Sequence, residues 1–115
     1  MCIPAYLVAS IQEGVADEEA AFTPIGAIAL QGLRLVNPSF GETIVVFGLG
    51  LVGLVTAQLL QAAGCRVIGI DLDESKLALL KGKGITTFRS SPDNDPTDFV
   101  QQVTEGVGAD GVIIT

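Results

Sequence analysis

The sequence predicts an α/β protein built on a parallel sheet. Three observations carry that prediction. From Thr43 onward, short apolar runs rich in β-branched residues alternate with stretches of helical length. Glycines punctuate nearly every change of period. The first run, Thr43–Phe47, is apolar almost throughout rather than alternating, which suits a strand covered on both faces. Strands and helices in this order call for right-handed crossovers between parallel neighbours.

The opening segment, Met1 to Tyr6, reads as chain cut from something longer. A short extended piece is expected at Leu7–Ser10, then a turn at Glu13-Gly14-Val15. Asp17 is the expected N-cap of an alanine-rich helix, with Glu18 and Glu19 favoured at its positive end. That helix reaches about Val36, and Pro24 and Gly26 should break it in two. Asn37 to Gly41 is turn chemistry.

The sheet follows. Thr43–Phe47 is the first strand and Leu51–Ala63 a helix, closed by Gly64 as a left-handed cap. That helix is apolar nearly all round, so it must be covered on more than one side. Arg66–Ile70 is the second strand, ending at Asp71. Asp73 caps a helix to about Lys81, with Leu77 and Leu80 inward, and Ile85–Phe88 makes a third strand. Asp95 and Pro96 start another helix, reaching about Thr104. Gly111–Thr115 is a fourth strand.

Composition excludes several classes. The 115 residues are 49% hydrophobic and 17% charged, which rules out disorder over most of the chain. Six basic residues against 13 acidic give a net charge of −7, a poor match for nucleic acid or an anionic membrane. There is no histidine, so Ser-His-Asp and Cys-His catalysis and His-containing zinc sites are excluded within this chain. Cys2 and Cys65 form no disulfide framework, so a reducing, cytoplasmic setting is expected. The 23 residues from Thr43 to Cys65 carry no charge and are long enough to cross a bilayer. Gly48, Gly50 and Gly53 interrupt them, and Gln58 and Gln61 add polar groups, so they read as strand, loop and helix instead. Asp93, Asn94, Asp95 and Asp98 superficially suggest calcium but lack the spacing, glycine and terminal glutamate of a calcium loop.

The chemistry concentrates at Gly48-Leu49-Gly50-Leu51-Val52-Gly53. A bare GxGxxG is a weak signal; one that follows a strand and opens a helix is the pyrophosphate loop of a dinucleotide site. Gly48 would permit the tight turn, Gly50 would let backbone approach the pyrophosphate, and Gly53 would let helix pack closely on strand. Amides near Leu51 and Val52 would then face the phosphates along the helix dipole. Asp71 lies 21 residues past Gly50, at the end of the second strand. Such a carboxylate accepts from ribose hydroxyls and repels a 2′-phosphate, and no arginine follows it nearby along the chain. NAD is therefore expected in preference to NADP. On this reading residues 1–40 are a leader segment and helix. Residues 41–115 are a truncated Rossmann-type half of about four strands, whose open edge at Val112–Ile114 invites pairing between copies.

From Asp17 onward the chain resembles the cofactor domain of medium-chain, alcohol-dehydrogenase-like oxidoreductases. The matching stretches are Asp17 to Phe22, Gly26 to Leu30, Gly41 to Val46, the glycine motif, Gly64 to Asp71 and Gly108 to Val112. The wording is most similar to the threonine- and sorbitol-dehydrogenase-like branch, and it also resembles two-part oxidoreductases with a glucose-fructose-oxidoreductase-type half. The resemblance implies that Asp71 binds the adenosine ribose and that Lys76 makes a second ribose contact. It implies hydride transfer between NAD and an alcohol or carbonyl substrate by a longer protein, this segment being inert alone and carrying no catalytic residue. It also exposes a departure: where zinc members place a metal-binding cysteine, this chain has Pro24-Ile25, which cannot hold zinc. Two other classes share the glycine loop and the acid: a stand-alone NAD-sensing module and an S-adenosylmethionine-dependent methyltransferase. The leader before the first strand disfavours the former, and Gly53 the latter.

Overall fold

A computed structural model describes residues 2–115. Its centre is β1 (Thr43–Phe47), in which Ile44, Val45 and Val46 are all buried, as an apolar strand covered on both faces must be. β2 (Arg66–Asp71) lies on one side of β1, and β3 (Thr86–Arg89) lies beyond β2. β4 (Gly111–Ile114) pairs with the other side of β1. Every pairing is parallel, and the spatial order is β3-β2-β1-β4.

Helices cover both faces. α1 (Asp17–Ala20) and α2 (Thr23–Val36) precede the sheet; α3 (Leu51–Ala62), α4 (Glu74–Lys81) and α5 (Pro96–Val103) connect its strands. α2 and α3 pack together, and Leu33, Val36 and Leu54 join the larger core on that face. That core includes Ile44, Val46, Leu49, Leu60, Leu77 and Leu80. The opposite face carries a smaller cluster of Val45, Ile68 and Ile70 under α5, where Phe88 stacks on Phe99 at 4.5 Å. No helix among the described residues is long and apolar enough to cross a membrane.

Several boundaries differ from the sequence reading, each for a local reason. The extended piece expected at Leu7–Ser10 is preceded by a 3-10 turn over Ala5–Leu7; Val8 is extended but finds no strand partner. Ala16, not Asp17, is the N-cap of α1, because the Glu19 carboxylate reaches back to accept the Ala16 amide at 3.2 Å. The leader does divide in two, but at Ala21-Phe22: Pro24 sits in the first turn of α2, where its missing N–H costs nothing. Gly26 continues that helix, donating to the Phe22 carbonyl at 2.8 Å. The third strand runs Thr86–Arg89 rather than Ile85–Phe88, and its last residue, Arg89, is in register with Asp71.

Candidate dinucleotide site

The site forms at the carboxyl ends of the strands, where ligands of open parallel sheets bind beside the point at which strand order reverses. That point is the β1–β4 junction. The Thr115 hydroxyl closes it by donating to the Gly48 carbonyl at 2.6 Å. The loop out of β1 is shaped by its glycines. Gly48 has φ +84°, a left-handed backbone that L side chains rarely adopt. At Gly53 an added Cβ would collide with the Gly48 carbonyl oxygen and come within 2.7 Å of the Thr115 hydroxyl, so only glycine lets α3 sit this close to the loop. Gly50 differs: it is the N-cap of α3 with φ −68°, and nothing lies within 4 Å of where its Cβ would be. Its face is open.

α3 starts without a side-chain cap and without an acidic residue in its first turn. The amides of Leu51 and Val52 at its start therefore have no intrahelical acceptor, and the helix dipole adds positive potential there. The Leu49 side chain is fully buried, which fixes the middle of the loop against the core.

Asp71 ties the two strand ends together. One carboxylate oxygen accepts the Leu49 amide at 2.6 Å; the other accepts the Asp73 amide at 2.9 Å. Lys76 lies 3.6 Å from the first oxygen, and the Asp71 side chain is only 9% exposed. Burial opposes ionisation of Asp71, but the amides of Leu49, Asp73 and Leu72 and the Lys76 charge together outweigh it and hold the carboxyl below the usual carboxylate range. Asp73, as expected, is the N-cap of α4, accepting the Ser75 amide at 2.9 Å, which leaves Asp71 free of that duty. Beside Asp71 a cleft of about 230 Å³ opens, lined by Phe47, Gly48, Ile70, Asp71, Leu72 and Ser90.

Gly48, Gly50, Leu51, Val52 and Gly53 thus form one loop and first turn, with Asp71 and Lys76 across from them on β2 and α4. Sequence spacing missed Ser90 and Arg89. No arginine follows Asp71 closely along the chain, and it is β3 that brings Arg89 into register with it. The only signal that finds Arg89 is strand pairing.

A glycine loop at an uncapped helix start, facing an acid held at the end of the next strand of a 3-2-1-4 parallel sheet, defines a dinucleotide-binding Rossmann half. Comparison with known proteins narrows the class. Residues 52–115 match the family model of zinc-binding dehydrogenases. Sorbitol dehydrogenase 1 of Saccharomyces cerevisiae is 36% identical over 106 residues, spanning 90% of this chain and 29% of that enzyme. The crystal structure of an Escherichia coli short chain alcohol dehydrogenase complexed with NADH superposes with TM-score 0.86 at 25% identity, over 98% of this chain and 34% of the other. A mycobacterial protein complexed with NADPH gives TM-score 0.78 at 29% identity, over 96% of this chain and 35% of its own. The chain belongs to the zinc-binding dehydrogenase family, within the alcohol-dehydrogenase-like medium-chain group. It spans between about a fifth and a third of the length of the curated relatives it matches, 26% and 29% for two of them.

The residues described do not fit the zinc of the family's name. The chain has no histidine. Cys2 is exposed, while Cys65 is buried, and burial, with the Glu42 charge, pushes its thiol up and away from the thiolate that zinc requires. Among the described residues no three His, Cys, Asp or Glu side chains converge.

Proposed function

We propose that this chain holds the adenosine and pyrophosphate portion of NAD for an oxidoreductase that moves hydride between NAD and an alcohol or carbonyl substrate. The observation that carries the proposal is the Asp71 carboxylate, pinned by the Leu49 and Asp73 amides at the rim of the cleft beside Gly48. Each carboxylate oxygen accepts one amide and keeps a lone pair for a ribose hydroxyl. The open face of Gly50 admits a pyrophosphate to backbone distance, and the Leu51 and Val52 amides donate to it. Lys76 pairs with Asp71 at 3.6 Å and would reach the same ribose. Bound nicotinamide dinucleotide would supply the hydride-accepting ring; this chain contributes orientation of its adenosine half and no catalytic residue. Asp71 repels a 2′-phosphate, so NAD is preferred over NADP. Residues 1–40 serve as a leader whose α2 buttresses α3, and residues 41–115 carry the nucleotide.

Calorimetric titration tests this reading. NAD and ADP-ribose should bind alike, NADP more weakly, and S-adenosylmethionine not at all. Asp71→Asn, which keeps one acceptor oxygen but loses the charge, should weaken NAD and ADP-ribose about tenfold, the scale of a charge-assisted hydrogen bond. Preference for S-adenosylmethionine, or an Asp71→Asn chain that binds NAD as the parent does, would overturn it.

A further inference from the structure

We infer that Arg89 is a specificity-determining residue of this site, a guanidinium poised for a phosphate on the 2′ position of the adenosine ribose. The inference rests on the dinucleotide reading above and extends it to the choice between the two nicotinamide cofactors. Three observations carry it. Arg89 is the β3 partner of Asp71 in the parallel register, so both side chains leave the same face of the sheet at its carboxyl edge. Its Nε donates to the Leu72 carbonyl at 3.1 Å, which anchors the guanidinium over the turn leaving β2. Leu72 and Ser90, the neighbours of Asp71 and Arg89 in sequence, both line the cleft.

What remains of the guanidinium is uncommitted. With Nε engaged, the two terminal nitrogens keep their donors, and among the described residues Arg89 forms no ion pair. Lys76 supplies a second cation, but it is paired with the Asp71 carboxylate at 3.6 Å. Asp71 thus has Lys76 paired with it and Arg89 on the neighbouring strand. A planar fork matches phosphate geometry with two parallel hydrogen bonds, whereas a neutral 2′-hydroxyl offers it little. The site therefore has opposed elements: Asp71 disfavours the phosphorylated cofactor and Arg89 favours it. NAD is preferred, and NADP stays within reach.

The test is calorimetric titration of the full chain with NAD, ADP-ribose and NADP, in the parent, Arg89→Ala, Asp71→Asn and the double variant, with circular dichroism to confirm folding. Arg89→Ala should weaken NADP about tenfold and leave NAD within about twofold, so the NAD-to-NADP ratio widens. Asp71→Asn should bring NADP level with or above NAD, and adding Arg89→Ala should cancel that gain. The Arg89 contribution should shrink between low and high salt, as a solvent-facing ion contact does. If NAD and ADP-ribose bind the parent but Arg89→Ala leaves the ratio unchanged in both backgrounds, the inference fails while the dinucleotide reading stands. If Arg89→Ala weakens NAD and NADP equally, Arg89 supports the loop and does not read the phosphate. If the parent binds neither NAD nor ADP-ribose, the dinucleotide reading fails and takes this inference with it.

Discussion

Gly50 and Gly53 of one motif do different things, and each has its own signature on substitution. A methyl at Gly53 meets the Gly48 carbonyl, on backbone that has little room to yield, and crowds the Thr115 hydroxyl. Gly53→Ala should therefore cost about 2 kcal/mol, the scale of overpacking a tight contact, read as a lower urea midpoint. A methyl at Gly50 meets nothing, and its backbone is one any residue adopts. Gly50→Ala should leave the urea midpoint unchanged yet weaken ADP-ribose, because the methyl occupies space reserved for the pyrophosphate. A Gly50→Ala chain that binds normally would contradict that assignment. Asp71 adds a pH dependence. Its folded pKa is lowered, so the stability it contributes is fully present above the unfolded value near 4 and is lost as pH falls through the lower folded value. ADP-ribose affinity should accordingly be flat from pH 8 to about 5 and fall only in stronger acid.

The elements were largely legible because their signals are local. An unbroken apolar run made β1, the Asp73 and Asp95 caps started α4 and α5, and both carboxylates accept the amide two residues on. What escaped depended on contacts between distant residues or on side-chain reach. The sequence does not show that Glu19 folds back to Ala16, nor that the β2–β3 register puts Arg89 opposite Asp71. The glycine loop and Asp71 were visible as a spacing; the cation beside them was visible only as a pairing. Another long-range tie fixes β4. The Asp110 amide donates to the Thr43 carbonyl and its carboxylate accepts the Thr43 amide, both at 2.8 Å. Asp110→Ala leaves the amide of buried Thr43 unpaired, which should cost about 1–2 kcal/mol. Unfolding at unchanged midpoint would show that β4 is held by its ladder alone.

At the scale of the molecule, the sheet is well covered on the α3–α4 face and more thinly on the other, where α5 stands alone. β4 is the outer strand on its side, with Val112 and Ile114 exposed. Unpaired strand edges template association, and a net charge of −7 opposes it, so pairing between copies should be concentration-dependent and promoted by salt. A sizing column run at rising concentration checks this; a clean monomer throughout, at low and high salt, would contradict it.

On the proposed function, the loop after β1 and the end of β2 form one adenosine-pyrophosphate site. The most direct measurement is a two-dimensional amide NMR titration of the ¹⁵N-labelled chain with ADP-ribose. Saturable shifts are expected at Gly50, Leu51, Val52, Leu72 and Ser90, with the β4 edge and the leader before α2 unmoved. Shifts confined to the leader, or none at concentrations that saturate the calorimetric signal, would contradict it.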